Sequence, residues 1–225
     1  MATPSDVVVV RPTIVPLGDR ALLVRFGDIL CEAANKAATG FARTLADDLP
    51  TGIVEIVPNL ISVLLRYDPE TVQLAALAGE VRLRLYGRRD MPLASAASHA
   101  ISVTFGGERG VDLDTVAAAL AMTTGEFIAA HNAGPLRVLA TGFAPGFVYC
   151  GFHSDTLLLP RRTEVRASVP AGTVLFAAGQ TAIAATAIPT GWHVIGTTPF
   201  RNFDPATTPP TRMRAGDSVQ FEIAP

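Results

Sequence analysis

After about residue 134 the helical periodicity of this chain stops. Short apolar runs alternate with Gly and Pro at Gly142, Pro145-Gly146, Pro170, Gly172, Gly179, Pro189, Gly191, Gly196 and Gly216. Punctuation at that spacing predicts short strands joined by tight turns, a compact β-barrel or sandwich rather than a parallel sheet.

The region before it reads differently. Residues 12–27 predict two strands joined by a turn at Gly18-Asp19. From Leu30, apolar residues recur at Ala34, Ala37, Ala38, Phe41 and Leu45, steps of three and four that put one stripe on a helix despite Gly40. Residues 52–57 and 60–67 form a second strand pair around Pro58-Asn59. Asp68-Pro69 then introduces a helix marked by Leu74, Leu77, Val81 and Leu85. Helices alternating with strand pairs imply a small antiparallel sheet with helices on one face, an α+β arrangement. Residues 87–99 have the small, polar character of a linker. A strand over 100–105 and two short helices follow, the second opened by the capping-box pattern of Thr123 and Glu126. The expected organisation is therefore an N-terminal α+β domain over residues 10–90 and a β-barrel domain over 98–225.

With 225 residues, 49% of them hydrophobic, the chain has material for a substantial core. No apolar run reaches the roughly 18 residues of a membrane span. The valines at 7–10 have no positive residue before them and are too few for a secretory leader, so a cytoplasmic location without membrane association is expected. The net charge of −2 carries no footprint for nucleic acid. Cys31 and Cys150 are far apart and read as buried, reduced thiols rather than a disulfide or metal pair.

Lysine is scarce, and this excludes several chemistries at once. Lys36 is the only one, and it lies in a predicted helix with no glycine-rich turn before it. A P-loop, a lysine-based amidase centre and a biotin-bearing lysine are all excluded. There is no Gly-x-Ser-x-Gly elbow, and His99, His131, His153 and His193 lack metal-ligand spacing, so no metal site is expected. A chain without a self-contained catalytic constellation reads as one component of a larger enzyme.

Residues 141–200 carry the candidate site. Phe143, Phe147 and Tyr149 surround Pro145-Gly146 and would wall a small polar ligand or a partner surface; the alternative is a barrel corner packed with its own aromatics. Arg161, Arg162 and Arg166 cluster around Glu164, as carboxylate binders or as a solvated run. Gln180 before Thr181 offers donor and acceptor on one carboxamide for an amide or ureido group, or bonds to barrel backbone. Trp192 is a core or interface anchor. Cys150 and His153 are three apart, but no third group orients them, and a buried thiol is the simpler reading.

These same segments resemble the family of 5-oxoprolinase B subunits, also called allophanate hydrolase subunit 1, whose members include a sporulation-kinase inhibitor. The corresponding region also occurs in the carboxyltransferase domain of urea carboxylase. The family pattern Gly-Phe-x-Pro-Gly-Phe-Pro-Tyr-Leu-Gly falls on 142–151, its Pro-Arg step on Pro160-Arg161, and Val-Pro-Ala-Gly-Ser-Val on 169–174. Gly-Gly-Gln-Thr-Gly falls on 178–182, Pro-Gly-Gly-Trp on 189–192, and Ile-Gly-Arg-Thr-Pro on 195–199. Ala178, Ala182 and Thr190 stand where that pattern has glycine, Ala184-Ala185 where it often has Tyr-Pro, Val148 for a proline and Cys150 for a leucine. The resemblance implies an α+β domain followed by a cyclophilin-like barrel. It implies as partners a paralogous C subunit (allophanate hydrolase subunit 2 type) and a third lactam-utilisation subunit. The implied activity is opening of the 5-oxoproline lactam to glutamate at the expense of ATP held by the complex. Sensor-kinase inhibition and an allophanate hydrolase or urea carboxylase role are the alternatives. On this reading Tyr149, Arg161, Gln180 and Thr181 take the substrate, Phe143, Phe147 and Trp192 face a partner, and the catalytic residues are unassigned.

Overall fold

The computed structural model describes residues 11–87 and 96–225, which form two compact units. The valine run at 7–10 and most of the 87–99 linker lie outside the described residues.

In the first unit, β1 (Thr13–Pro16), β2 (Ala21–Arg25), α1 (Glu32–Asp47), β3 (Ile53–Pro58), β4 (Ser62–Tyr67) and α2 (Leu74–Tyr86) follow one another as the periodicity predicts. The strands form one antiparallel sheet in the order β1-β2-β4-β3. Leu22 pairs with Leu65 and Val24 with Val63, so one face of the sheet is aliphatic. That face packs on Phe41 and Leu45 of α1 and on Leu77 and Val81 of α2, all at most 1% exposed. Two polar residues of α1, Asn35 and Thr39, enter this core: Thr39 donates to the Asn35 carbonyl at 2.9 Å, and Asn35 donates from Nδ2 to the Leu60 carbonyl at 2.7 Å, tying α1 to the turn between β3 and β4. Among the described residues no single helix is long and apolar enough to cross a membrane.

The second unit is a closed barrel of seven strands, which resolves the choice between barrel and sandwich. Its strands are β5 (Ser98–Phe105), β6 (Leu136–Thr141), β7 (Val148–Gly151), β9 (Thr173–Ala177), β10 (Gln180–Ile183), β12 (His193–Thr197) and β13 (Ser218–Ile223). Around the barrel the order is β10-β7-β6-β13-β5-β12-β9, and β9 pairs with β10 to close it. Helices α3 (Leu113–Ala119) and α4 (Thr124–His131) pack Val116 and Phe127 into the interior. Thr123 caps α4 in a reciprocal capping box with Glu126.

Strand β9 explains the layering. All five of its residues are buried. Val174 and Phe176 join the barrel interior, whereas Leu175 and Ala177 join a second cluster outside the wall with Phe147, Trp192 and Val194. A strand buried on both faces needs an apolar run, and Thr-Val-Leu-Phe-Ala supplies it. The ribbon of β8 (Arg166–Val169) and β11 (Ile188–Thr190) adds Val169 and Ile188 to that outer cluster.

A polar island lies inside the apolar interior. Thr181 Oγ1 is 2.8 Å from both His131 Nε2 and His153 Nε2, and His131 Nδ1 is 2.7 Å from Asn132 Oδ1. The Asn132 oxygen only accepts, so His131 carries its proton on Nδ1 and takes the Thr181 hydroxyl proton on Nε2; the His153 Nε2–H then donates to Thr181. Phe105, Phe127, Phe176 and Phe221 surround His131. Burial lowers both imidazoles, His131 to about 4 and His153, which also feels His131, to about 3.

Below pH ~6.5 the unfolded chain therefore binds protons that the folded chain refuses, so stability falls as pH drops from there toward 3–4. Each histidine contributes a slope of up to ~1.4 kcal/mol per pH unit, and neither contributes one above about pH 7. Urea denaturation at several pH values should show this slope. His153→Gln, which keeps a donor for Thr181, should reduce it by one proton's share.

Candidate functional site

On the outside of the barrel wall Phe143, Phe147, Tyr149 and Trp192 form a continuous row. Phe143 meets Phe147 at 5.5 Å between ring centroids, Phe147 meets Tyr149 at 4.7 Å, and Tyr149 meets Trp192 at 5.9 Å, all at steep interplanar angles. Edge-to-face contacts of this kind suit the ring quadrupoles. The row ends on Arg161, whose guanidinium lies 5.6 Å from the Trp192 ring centroid. The half-buried Tyr149 phenol is pushed up by burial, and the positive charge of Arg161 opposes that shift. Beside Arg161 lies a surface cavity of about 330 Å³ lined also by Arg162, Glu164 and His193.

The structure sorts the three clustered arginines. Arg162 Nη1 and Arg166 Nη2 both donate to Asp112 Oδ1, at 2.8 and 2.5 Å, while Asp112 Oδ2 accepts the Val194 N–H at 2.8 Å. Asp112 is 5% exposed. Arg161 has no carboxylate partner among the described residues and is the one presented to solvent over an aromatic ring. An exposed guanidinium positioned over a tryptophan ring is a partly preorganised carboxylate or phosphate binder.

Of the residues singled out from the sequence, Tyr149, Arg161, Trp192, Phe147 and Phe143 come together, but not with the exposure expected. Phe147 and Trp192 are 3% and 6% exposed, because the outer apolar cluster takes both rings, so they support the surface rather than form it. Of the four rings only Phe143 projects, at 71% exposure, and it does so from a left-handed backbone (φ +73°) that disfavours side chains. Gln180 lies elsewhere on the wall, at the start of β10, with its side chain against Gly151. Its Oε1 is buried and has no hydrogen-bond donor among the described residues, leaving one amide acceptor unsatisfied. Thr181 is not at this surface: period-two alternation turns it into the barrel, where it is fully buried between the two histidines. Cys150 is likewise interior, and burial raises its thiol to about 12.

Three residues escaped the sequence reading. Asp112 lies 50 residues from Arg162, and no local pattern marks it. Asn202, fully buried, donates to the Gly146 carbonyl at 3.0 Å and accepts the Met213 N–H at 2.8 Å, holding the Pro145-Gly146 turn to the C-terminal segment. His193 donates from Nε2 to the Pro160 carbonyl at 3.0 Å beside the Arg161 cavity. The glycine departures also have consequences. Ala178 occupies a left-handed position (φ +51°), whereas Thr190 adds a hydroxyl that accepts the Trp192 N–H at 3.0 Å.

Comparison with known proteins places these motifs. Residues 12–213 match the family model described as carboxyltransferase domain, subdomain C and D. The 5-oxoprolinase B subunit of Bacillus subtilis (strain 168) is 34% identical over 222 residues, spanning 94% of this chain and 92% of the relative. The crystal structure of TTHA0988 matches with a TM-score of 0.79 at 32% identity, over 92% of this chain but only 40% of that one. Kluyveromyces lactis urea carboxylase, at 17% identity and a TM-score of 0.78 over 96% of this chain and 22% of that one, shares the fold.

Two stability changes follow from the geometry. Asp112→Ala strands two guanidiniums, which still reach water, and should cost about 3 kcal/mol in urea denaturation. Ala178→Gly removes an exposed Cβ from a left-handed position and should raise stability by about 0.5–1 kcal/mol. A loss of stability in the second variant would contradict the strain assigned to Ala178.

Proposed function

Because this chain belongs to the family of carboxyltransferase domains, subdomains C and D, we propose that it is the B subunit of a 5-oxoprolinase. In this reading it opens the lactam of 5-oxoproline to glutamate only together with a paralogous C subunit and a third subunit, at the expense of ATP bound by the complex, in the cytoplasm. The observation that carries the reading is Arg161, an exposed guanidinium seated on Trp192 next to the Tyr149 phenol. 5-Oxoproline is a small lactam with one carboxylate. Arg161 takes that carboxylate, and the Tyr149 hydroxyl, held protonated by burial, is a donor for a ligand oxygen.

No nucleophile with a base stands at this surface among the described residues. The Cys150 thiol is sealed in the barrel and held protonated, so the reactive groups come from the partner subunits. Phe143, projecting at the end of the aromatic row, is the contact offered to the paralogous C subunit; the buried Phe147 and Trp192 hold the surface behind it.

The purified chain alone should not release glutamate from 5-oxoproline. Addition of both partner subunits should give release that requires ATP, and no release from the complete set would overturn the assignment. In the active complex Arg161→Gln should raise KM for 5-oxoproline about ten-fold or more with a smaller change in kcat, the signature of lost substrate binding. An inactive complete set would direct assays to carboxyl transfer from carboxybiotin and to sensor-kinase autophosphorylation.

A further inference from the structure

A second cavity, of about 320 Å³, shares none of Tyr149, Arg161, Gln180 or Trp192. Its polar lining includes Arg109, Arg166, Ser168 and Glu108, and Val169 and Val194 supply apolar surface. Two features of this cavity are only partly met by its own lining. The first is charge. The single carboxylate of Asp112 faces the guanidiniums of both Arg162 and Arg166, leaving one positive charge in surplus beside the cavity. Arg109 adds another, being exposed and without a hydrogen bond or ion pair among the described residues. The second is unused hydrogen-bonding capacity. Arg166 keeps a third of its side chain exposed, while its Nε–H is buried without an acceptor among the described residues. The exposed Ser168 hydroxyl is likewise unengaged there. Two guanidiniums and a hydroxyl beside apolar surface form the donor set that binds oxyanions in proteins. Glu108 alone opposes it within the cavity lining, and offsets one charge.

We propose that this cavity binds a small oxyanion-bearing molecule, a carboxylate or a phosphate, through Arg109, Arg166 and Ser168. The site is separate from the Arg161 surface and does not depend on the activity assigned to it.

The test uses the whole chain, labelled with nitrogen-15, and follows the arginine Nε–H resonances while inorganic phosphate or succinate is added in separate arms at constant ionic strength, with chloride as the reference. Saturable shifts at Arg109 and Arg166 are expected. Saturation with phosphate alone identifies a phosphate ligand, saturation with succinate alone a carboxylate, and saturation with both the shared oxyanion chemistry. Arg109→Gln, an exposed position that leaves the Asp112 network intact, should weaken the responding probe about ten-fold, one charge-assisted contact. Glu108→Gln should tighten it, because the opposing charge is gone, and Arg161→Gln should leave it unchanged. Shifts that do not saturate with either probe or that match chloride would overturn the proposal, as would full affinity in Arg109→Gln.

Discussion

The barrel wall is apolar on both sides along β9, and the candidate surface is built on that double burial. The inner side chains fill the barrel and the outer ones, Leu175 and Ala177, need cover of their own. Phe147, Trp192 and the β8–β11 ribbon provide it, and in doing so carry Tyr149 and Arg161 to the surface at defined positions. Hydrophobic burial is non-directional and roughly proportional to area, so it supplies affinity between layers without specifying chemistry. Specificity is added by the few polar groups that the apolar layer orients.

Asp112 has the most consequential of these polar roles. A buried carboxylate is costly unless its lone pairs are taken, and here two guanidiniums and one backbone amide take them. The arrangement separates structural arginines from a presented one and leaves excess positive charge toward the second cavity. The same principle governs the His131–Thr181–His153 island, where one hydroxyl serves two neutral imidazoles and makes the barrel interior sensitive to acid.

The departures from the family pattern divide by backbone geometry. Ala178 places an exposed Cβ on a left-handed residue at the β9–β10 turn, where its backbone N–H donates to the Leu159 carbonyl at 2.6 Å, a bond that a glycine would make as well without the strain. Thr190 puts its added side chain to use, since the hydroxyl caps the chain entering Trp192. A substitution away from glycine is therefore a cost at one position and a gain at the other, and only φ and the neighbouring donor distinguish them.

Periodicity alone was sufficient for the order of elements in the first unit, for its sheet with two helices on one face, and for the strand-rich character of the second half, because side-chain spacing follows directly from helix and strand repeats. The ordered Gly-, Pro- and Trp-containing motifs were sufficient for the family. Burial at the site was not legible in the chain. Phe143 and Phe147 are both phenylalanines in one turn, yet one projects and the other is sealed; Gln180 and Thr181 are neighbours, yet successive strand residues point to opposite sides of the wall. Nor was the pairing of Asp112 with Arg162 and Arg166 legible, since it joins segments 50 and 54 residues apart. Local spacing encodes which face a residue occupies, whereas closure of the barrel decides which faces are covered and which distant charges meet.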